Sequence, residues 1–376
     1  MAVTFRYARL DEYPPIAAFL NEYWAKDHIY VRDKKLFDWT FHRSSHWEEP
    51  GYSFALAEDA GELVGILGGI PFSFNSFGTV STGIWIANYV IRPDYRRGPT
   101  ALQLLSVFRN LSRHAVIAFG INPATSAIYR VLRGEVLPYL PRRLAIFPGA
   151  EERLRHLLAI AYPDWEAPRG RALAERFALP ARAEGGIAHG SSLPADWDRV
   201  DWPAIAKTTV GAARDADYLR WRYLEHPRFE YHIVTVTEGE RSGLLVWRLE
   251  TIRQSTAEGR VDVDRIARIV ELLPASPSNG RALVGAALAE MRSAGALGAD
   301  FYGYHAGANR CLEEAGFVDT STVEDGERMP ARFQPLDGKG GGILSAMFLK
   351  EPAPGFAAAD SLWYWTKSDS DQDRPN

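Results

Sequence analysis

Residues 32-RDKKLFDW-39 and 214-RDADYLRW-221 share Arg, Asp and Trp, and Trp39 and Trp221 stand 182 residues apart. Further along, the helix expected around Tyr129 corresponds to 308-ANRCLEEAGF-317, which places Leu312 183 residues after Tyr129. Two spacings that agree within one residue across about ninety positions point to one domain present twice. A chain of 376 residues exceeds a typical single core, in keeping with two domains.

Within the first copy, short strands and helices alternate. Residues 3–8 read as a strand, 10–24 as an apolar-periodic helix opened by Pro14 and Pro15, and 52–58 with 62–74 as a hairpin turning at 59–62. The strand 83–91, helix 100–114, strand 115–121 and helix 124–133 follow, and a second hairpin is expected at 231–254. This order predicts a mixed α/β (α+β) fold of two tandem domains, each a twisted mixed sheet flanked by helices. The expected divisions are a donor-binding N-terminal domain at 1–148, a connecting segment at 149–200, a C-terminal domain at 201–350 and a polar, mobile tail at 351–376. The connecting segment is rich in Pro, Gly, Ala and Arg; it starts with a helix at 150–161 and continues as a loose linker.

A formal net charge of −4 and a pI near 6.2 give no basic domain, so no nucleic-acid partner is expected. Cys311 is the only cysteine, which excludes an intrachain disulfide and a multi-cysteine zinc site. The first fifteen residues lack a signal-peptide pattern and no window reaches the roughly 20 apolar residues of a membrane span; a cytoplasmic location is expected. Asp369, Asp371 and Asp373 alternate as in a calcium loop but lack its glycine and distal glutamate, so they read as a solvated acidic tail and no metal site is expected.

The stretch 88-NYVIRPDYRRGPTALQLL-105 carries the chemistry. A strand enters a turn holding Arg96, Arg97, Gly98 and Pro99, and a helix starts at Thr100 and Ala101. Free N–H groups and the positive end of a helix favour phosphate there, and two guanidinium groups add charge-assisted bonds. Pro99 has no N–H to lose in a first turn. This stretch resembles the GNAT superfamily of acyl-CoA-dependent N-acyltransferases, whose P-x-Y-R-G-x-G-x-G/A turn before a helix with paired leucines holds the CoA pyrophosphate. Pro93, Tyr95, Arg96, Ala101, Leu104 and Leu105 match; Arg97 and Pro99 replace the two earlier glycines, with Gly98 taking over part of their role. The family's N-x6-Y pattern is matched by Asn122 and Tyr129.

The resemblance implies a donor, acetyl-CoA or another acyl-CoA, bound by Asn88, Tyr89, Val90, Arg96, Arg97, Gly98, Thr100, Ala101 and Asn122. Asn122 would contact the pantetheine arm. Backbone N–H groups of residues 88–90, on a splayed strand, would stabilise the oxyanion. Tyr129 would be the catalytic residue that hydrogen-bonds or protonates the leaving thiolate. The strand 83–91 holds no carboxylate, so His28, His42 and His46 are the candidates for a base, with none assigned.

Opposite Arg96, Arg97 and Gly98 the second copy has Asn279, Gly280 and Arg281, and opposite Tyr129 it has Leu312. It is therefore expected to line the acceptor site rather than repeat the chemistry, with Trp221, Tyr223, Tyr231 and Trp247 as stacking surfaces for a sugar. The duplicated pattern and the DSDQDRP ending resemble tandem GNAT proteins of bacterial surface-polysaccharide synthesis. That likeness implies a small-molecule amine acceptor, an amino sugar or nucleotide-linked amino sugar. Two other readings stay open: a non-catalytic acyl-CoA-binding or assembly protein, and a peptidoglycan-type transferase that uses aminoacyl-tRNA.

Overall fold

A computed structural model describes residues 3–43, 46–111, 114–165, 167–180, 192–322, 329–330, 332–338, 342–350 and 362–375. The first half runs β1 (Thr4–Tyr7), α1 (Tyr13–Tyr23), α2 (Ile29–Arg32), α3 (Lys34–Phe41), β2 (Phe54–Asp59), β3 (Glu62–Ser76), β4 (Thr79–Ile91), α4 (Thr100–Arg109), β5 (Ala115–Phe119), α5 (Ser126–Val131), β6 (Glu135–Leu137) and β7 (Arg142–Ile146). Strands β1 to β4 pair antiparallel in the order β1, β2, β3, β4, and β5 joins β4 in parallel. Alternation on β4 separates two layers. Trp85, Ala87 and Val90 join the core that holds Ile16, Leu20 and Phe37 of α1 and α3, while Ile84 and Ile86 pack with Leu104, Leu105 and Phe108 of α4.

The second half runs α6 (Glu151–Ala161), α7 (Ala167–Arg176), α8 (Trp202–Ala206), β8 (Val210–Ala212), α9 (Ala216–Leu219), β9 (His232–Glu238), β10 (Arg241–Thr256), β11 (Gly259–Leu273), α10 (Pro277–Ser293), β12 (Gly298–Tyr304), α11 (Ala306–Glu314), β13 (Val318–Asp319), the short pair β14 (Arg332–Phe333) and β15 (Leu336–Asp337), β16 (Ser345–Leu349) and β17 (Trp363–Thr366). The duplication is visible at its first signature. Asp33 caps α3 by accepting from Leu36 N–H at 3.0 Å, and Asp215 caps α9 by accepting from Tyr218 N–H at 2.8 Å. The repeated tryptophans meet: Trp39 and Trp221 stack with centroids 4.7 Å apart at 16°.

The halves are joined by a reciprocal exchange of strands. β7, from the first half, pairs with β12 and β13 of the second, while β16, from the second, pairs with β5 and β6 of the first. The divisions expected at 148 and 350 therefore fall in sequence but not in space, because each sheet is completed by the other half's strand. All strands except β14 and β15 form one mixed sheet.

Two further expectations are corrected. The segment after 161 is not a loose linker throughout: α6 and α7 bury Leu154, Leu157, Leu158, Leu173 and Ala174 in the second core; residues 181–191 of that segment lie outside the described residues. Nor are residues 363–373 a mobile, solvated tail, although 351–361 lie outside the described residues. β17 sits between β8 and β12 in the middle of the sheet. Asp369 meets the buried Arg214 at 2.9 Å, Asp373 meets Arg248 at 2.6 Å, and Asp371 meets Arg374 at 2.7 Å. Their alternation is answered by arginines, which is why acidic side chains tolerate burial here.

The network extends through Arg214 with Glu271 at 2.8 Å, Arg248 with Glu250 at 2.7 Å, and Asp300 with Arg142 at 2.8 Å and Arg268 at 3.1 Å. A chain ending at Lys350 is expected to lose its cooperative thermal transition in circular dichroism, since three buried arginines, Arg214, Arg222 and Arg248, would lose partners; a melting temperature matching the full chain would show the segment to be dispensable. Burial pushes the Asp300 carboxyl up, but Arg268 and Arg142 outweigh it and hold it at about 2, against 3.8 unperturbed. Its contribution is complete above the unfolded value and lost as pH falls towards the folded one. Asp300→Asn is expected to cost about 3–5 kcal/mol at neutral pH and to flatten the loss of stability on acidification, measured by urea unfolding.

Candidate functional site

β4 and β5 are parallel neighbours only from Gly83 opposite Ala115 to Ile86 opposite Ala118. Beyond that point they splay. On the other side of β4, Val90 pairs with Ile66 and Ala87 with Gly68, so Asn88 and Tyr89 together face one residue of β3. This is a β-bulge, and Asn88 carries it at φ +50°, a conformation asparagine tolerates better than most residues. The Asn88 side chain is buried, and its Oδ1 has no hydrogen-bond partner among the described residues.

Tyr89 ties this bulge to the next helix: its hydroxyl donates to the carbonyl of Ala101 in the first turn of α4. Helical bonding in α4 begins with Gln103 N–H to Pro99 O at 2.9 Å, which leaves the N–H groups of Thr100, Ala101 and Leu102 ahead of it. The approach is a single helical turn, Pro93–Tyr95, followed by Arg96, Arg97, Gly98 and Pro99, all four exposed. Arg96 Nε donates to Ile91 O at 3.0 Å, folding that side chain back along the strand end, whereas Arg97 makes no ion pair among the described residues. A Cβ on Gly98 would meet only Tyr95 O, at 3.8 Å, and its backbone is not left-handed. The fold does not require glycine there; the turn is simply open.

Tyr129 lies buried on α5, its ring 6.0 Å from Phe348 of the exchanged strand β16. Burial pushes its hydroxyl up to about 12, so at neutral pH it is protonated and able to donate. It lies near enough to Tyr89 to add, after burial, to the upward shift of that phenol. Asn122 caps the turn Pro123–Thr125 by accepting from Ala124 N–H at 2.9 Å and is exposed. The structure thus brings Asn88, Tyr89, Ala101 and Tyr129 together, with Thr100 and the arginine turn at the start of the same helix. Val90 is buried in the core between the halves.

No base is found among the three histidines. His28 Nδ1 accepts from Tyr30 N–H at 3.3 Å and burial lowers the ring to about 4; His46 Nε2 lies 3.1 Å from Ser73 Oγ; His42 ends α3, exposed. Among the described residues none of the three hydrogen-bonds to the bulge or to Tyr129. The expected stacking surfaces are also corrected. Trp221 is covered by Trp39 and Arg43, Tyr223 bonds Glu271 and Ser368, Tyr231 donates to Asp373, and Trp247 stacks on His232. Each ring is used internally.

Among the described residues the corresponding strand gap of the second half is filled. β11 and β12 pair from Ala267 opposite Ala299 to Ile269 opposite Phe301, but β17 then occupies the gap, with Tyr364 bonded to Leu272 and Glu271. Asn279 and Gly280 lie inside α10 rather than in a turn, and a Cβ on Gly280 would collide with Cys311 Sγ at 2.3 Å. At the start of α10, Ser276 and Ser278 both hold Glu238, so a carboxylate already sits where an anion would dock.

One neighbour of the first splay was not read from the sequence. Gln372 Nε2 donates to Phe119 O at 3.0 Å, at the very end of β5, and packs where a side chain on Gly120, at φ +80°, would stand. Their separation by 253 positions leaves no local signal.

The fold recurs in solved structures. The yeast Saccharomyces cerevisiae N-myristoyltransferase, with bound myristoyl-CoA, superposes with TM-score 0.55 at 12% identity over 94% of this chain and 80% of that one. A GCN5-related N-acetyltransferase from Anabaena variabilis gives 0.53 at 10% identity, over 93% and 73%. A probable N-acyltransferase from Enterococcus faecalis gives 0.53 at 13% identity, over 93% and 72%. The fold is that of tandem GNAT N-acyltransferases. No protein-family model and no curated protein sequence matches the chain. Among the described residues no helix is long and apolar enough to cross a membrane.

Within that GNAT fold, Asn88 is the residue that sets the bulge. Asn88→Val is expected to cost about 1–2 kcal/mol, the penalty of the left-handed region for a β-branched residue, whereas Asn88→Gly should keep the fold. Urea unfolding of both variants checks this; equal stability of Val and Gly would show that the backbone strain is not borne there.

Proposed function

We propose that this protein is an acyl-CoA-dependent N-acyltransferase whose donor site lies in the first half. The observation that carries the reading is the meeting, in that half alone, of a splayed and bulged strand, an open arginine turn at a helix start and a buried protonated tyrosine. Arg96, Arg97 and the free N–H groups of Thr100 and Ala101 suit the pyrophosphate, while Asn88 Oδ1, buried and unpartnered, suits a donor on the pantetheine arm. Asn122, on the solvent side, is the second polar contact for that arm. When bound, acyl-CoA supplies the activated acyl group. Backbone N–H groups of residues 88–90, at the bulge, stabilise negative charge on the carbonyl oxygen. Tyr129, kept protonated by burial, donates to the departing sulfur.

The acceptor is a small amine, and an amino sugar or nucleotide-linked amino sugar is the first class to try. The second half, closed to a donor by β17 and Glu238, lines the acceptor side. A cytoplasmic location fits a CoA-ester donor.

Calorimetric titration with acetyl-CoA and a longer acyl-CoA tests the reading, comparing the wild type with Arg96→Ala, Arg97→Ala. Binding is expected, weakened by about tenfold or more in the double variant, since two charge-assisted contacts are lost. Absence of binding to either ester would overturn the donor assignment and favour aminoacyl-tRNA. Tyr129→Phe should preserve binding and reduce amine-dependent CoA release. With the hydroxyl at about 12, the wild-type rate should show no loss from Tyr129 ionisation as pH rises to about 10.

A further inference from the structure

A cavity of about 210 Å³ opens at the second half's closed splay, where β11 ends and α11 begins. It is lined by Ala204, Ile205 and Thr208 of the α8 segment, Arg241 at the start of β10, Leu273, Pro274 and Ala275 at the end of β11, and His305. The volume suits a small organic molecule rather than a single water. Its polar side chains are Thr208, whose hydroxyl is spent on Ile205 O at 3.0 Å, and two further hydrogen-bond donors.

The first is Arg241. Among the described residues its guanidinium makes no ion pair, and its Nε is buried without a hydrogen-bond partner. A guanidinium group cannot shed its proton to escape that cost. The adjacent carboxylate, Asp201, spends an oxygen on the Ser242 N–H. The second is His305, which sits at φ +120°, a backbone conformation unusual for a non-glycine residue. Its Nδ1 accepts from Ala308 N–H at 3.2 Å, which places the proton of the neutral ring on Nε2. Burial lowers its pKa to about 4, so this neutral form prevails near pH 7. The crevice between α6 and α7 offers a contrast: the arginine there, Arg155, is already paired with Glu152.

We infer that this cavity is a binding site for a small carboxylic acid with a short apolar body, its carboxylate held by Arg241 and His305 and its body by Ile205, Leu273 and Pro274. A carboxylate matches the planar fork of arginine and accepts from both donors. The site is separate from the acyl-CoA site and stands on different residues, so it does not depend on the proposed donor chemistry.

Calorimetric titration of the full chain with benzoate and benzamide, equal in shape and different in charge, tests this. Benzoate is expected to bind, benzamide not to, and Arg241→Gln to weaken benzoate by about tenfold or more, the loss for one charge-assisted contact. Ala275→Phe, which fills the cavity while keeping the arginine, should weaken it as well, and Arg96→Ala, Arg97→Ala should not. Equal binding of the amide, benzoate affinity indifferent to both cavity variants, loss only in the donor-turn variant, or no binding of benzoate would each overturn the proposal.

Discussion

Arginine guanidinium groups buried in the second half and at its seam with β7, each answered by a carboxylate, are the constraint on which the rest of the structure depends. Arg214 holds Glu271 and Asp369, Arg248 holds Glu250 and Asp373, and Arg268 and Arg142 share Asp300. Pairs of this kind add little net stability, because desolvation offsets their attraction, yet any one left alone costs about 3–5 kcal/mol. They therefore act on register: residues 363–373 take a position in which Asp369 and Asp373 are both met by buried arginines. Placing β17 there closes one strand gap, and the same segment brings Gln372 to the end of β5 beside the other.

That placement explains how a duplicated domain becomes asymmetric. Both halves have a parallel strand pair that stops short, β4 with β5 and β11 with β12. In the second half Tyr364 enters the gap and Glu238 occupies the helix start. In the first half the bulge at Asn88, the free turn before α4 and the buried hydroxyl of Tyr129 remain unfilled by the chain itself. The reciprocal exchange of β7 and β16 makes the halves mutually dependent: Phe348, which packs on Tyr129, arrives on the second half's strand.

Much of the first half was legible in the residues. The hairpin at 52–74, the helix after Pro14 and Pro15 and the strand, turn and helix at 83–109 follow local rules of alternation, capping and turn chemistry, and they hold in the structure. The strand exchange was not legible, because residues 142–146 and 345–349 are short strands whose partners lie more than a hundred residues away. Nor was the fate of the aromatic residues: Trp221, Tyr223, Tyr231 and Trp247 have the same composition whether they face a sugar or each other. Residues 366–375 read as a polar tail for the same reason, since Asp369 and Asp373 look solvated until their arginines, on β10 and before α9, are seen.

The sequence by itself determined the local devices: two copies offset by about 182 residues, an arginine turn at a helix start, and Asn122 and Tyr129 in the N-x6-Y spacing. These depend on neighbours within a few residues, where spacing fixes geometry. Only the tertiary structure decided which copy stays open, which strands complete which sheet, and where the charges of the last segment go. Those outcomes rest on burial, and burial is set by what lies across the fold, on residues the chain reaches only after turning back on itself.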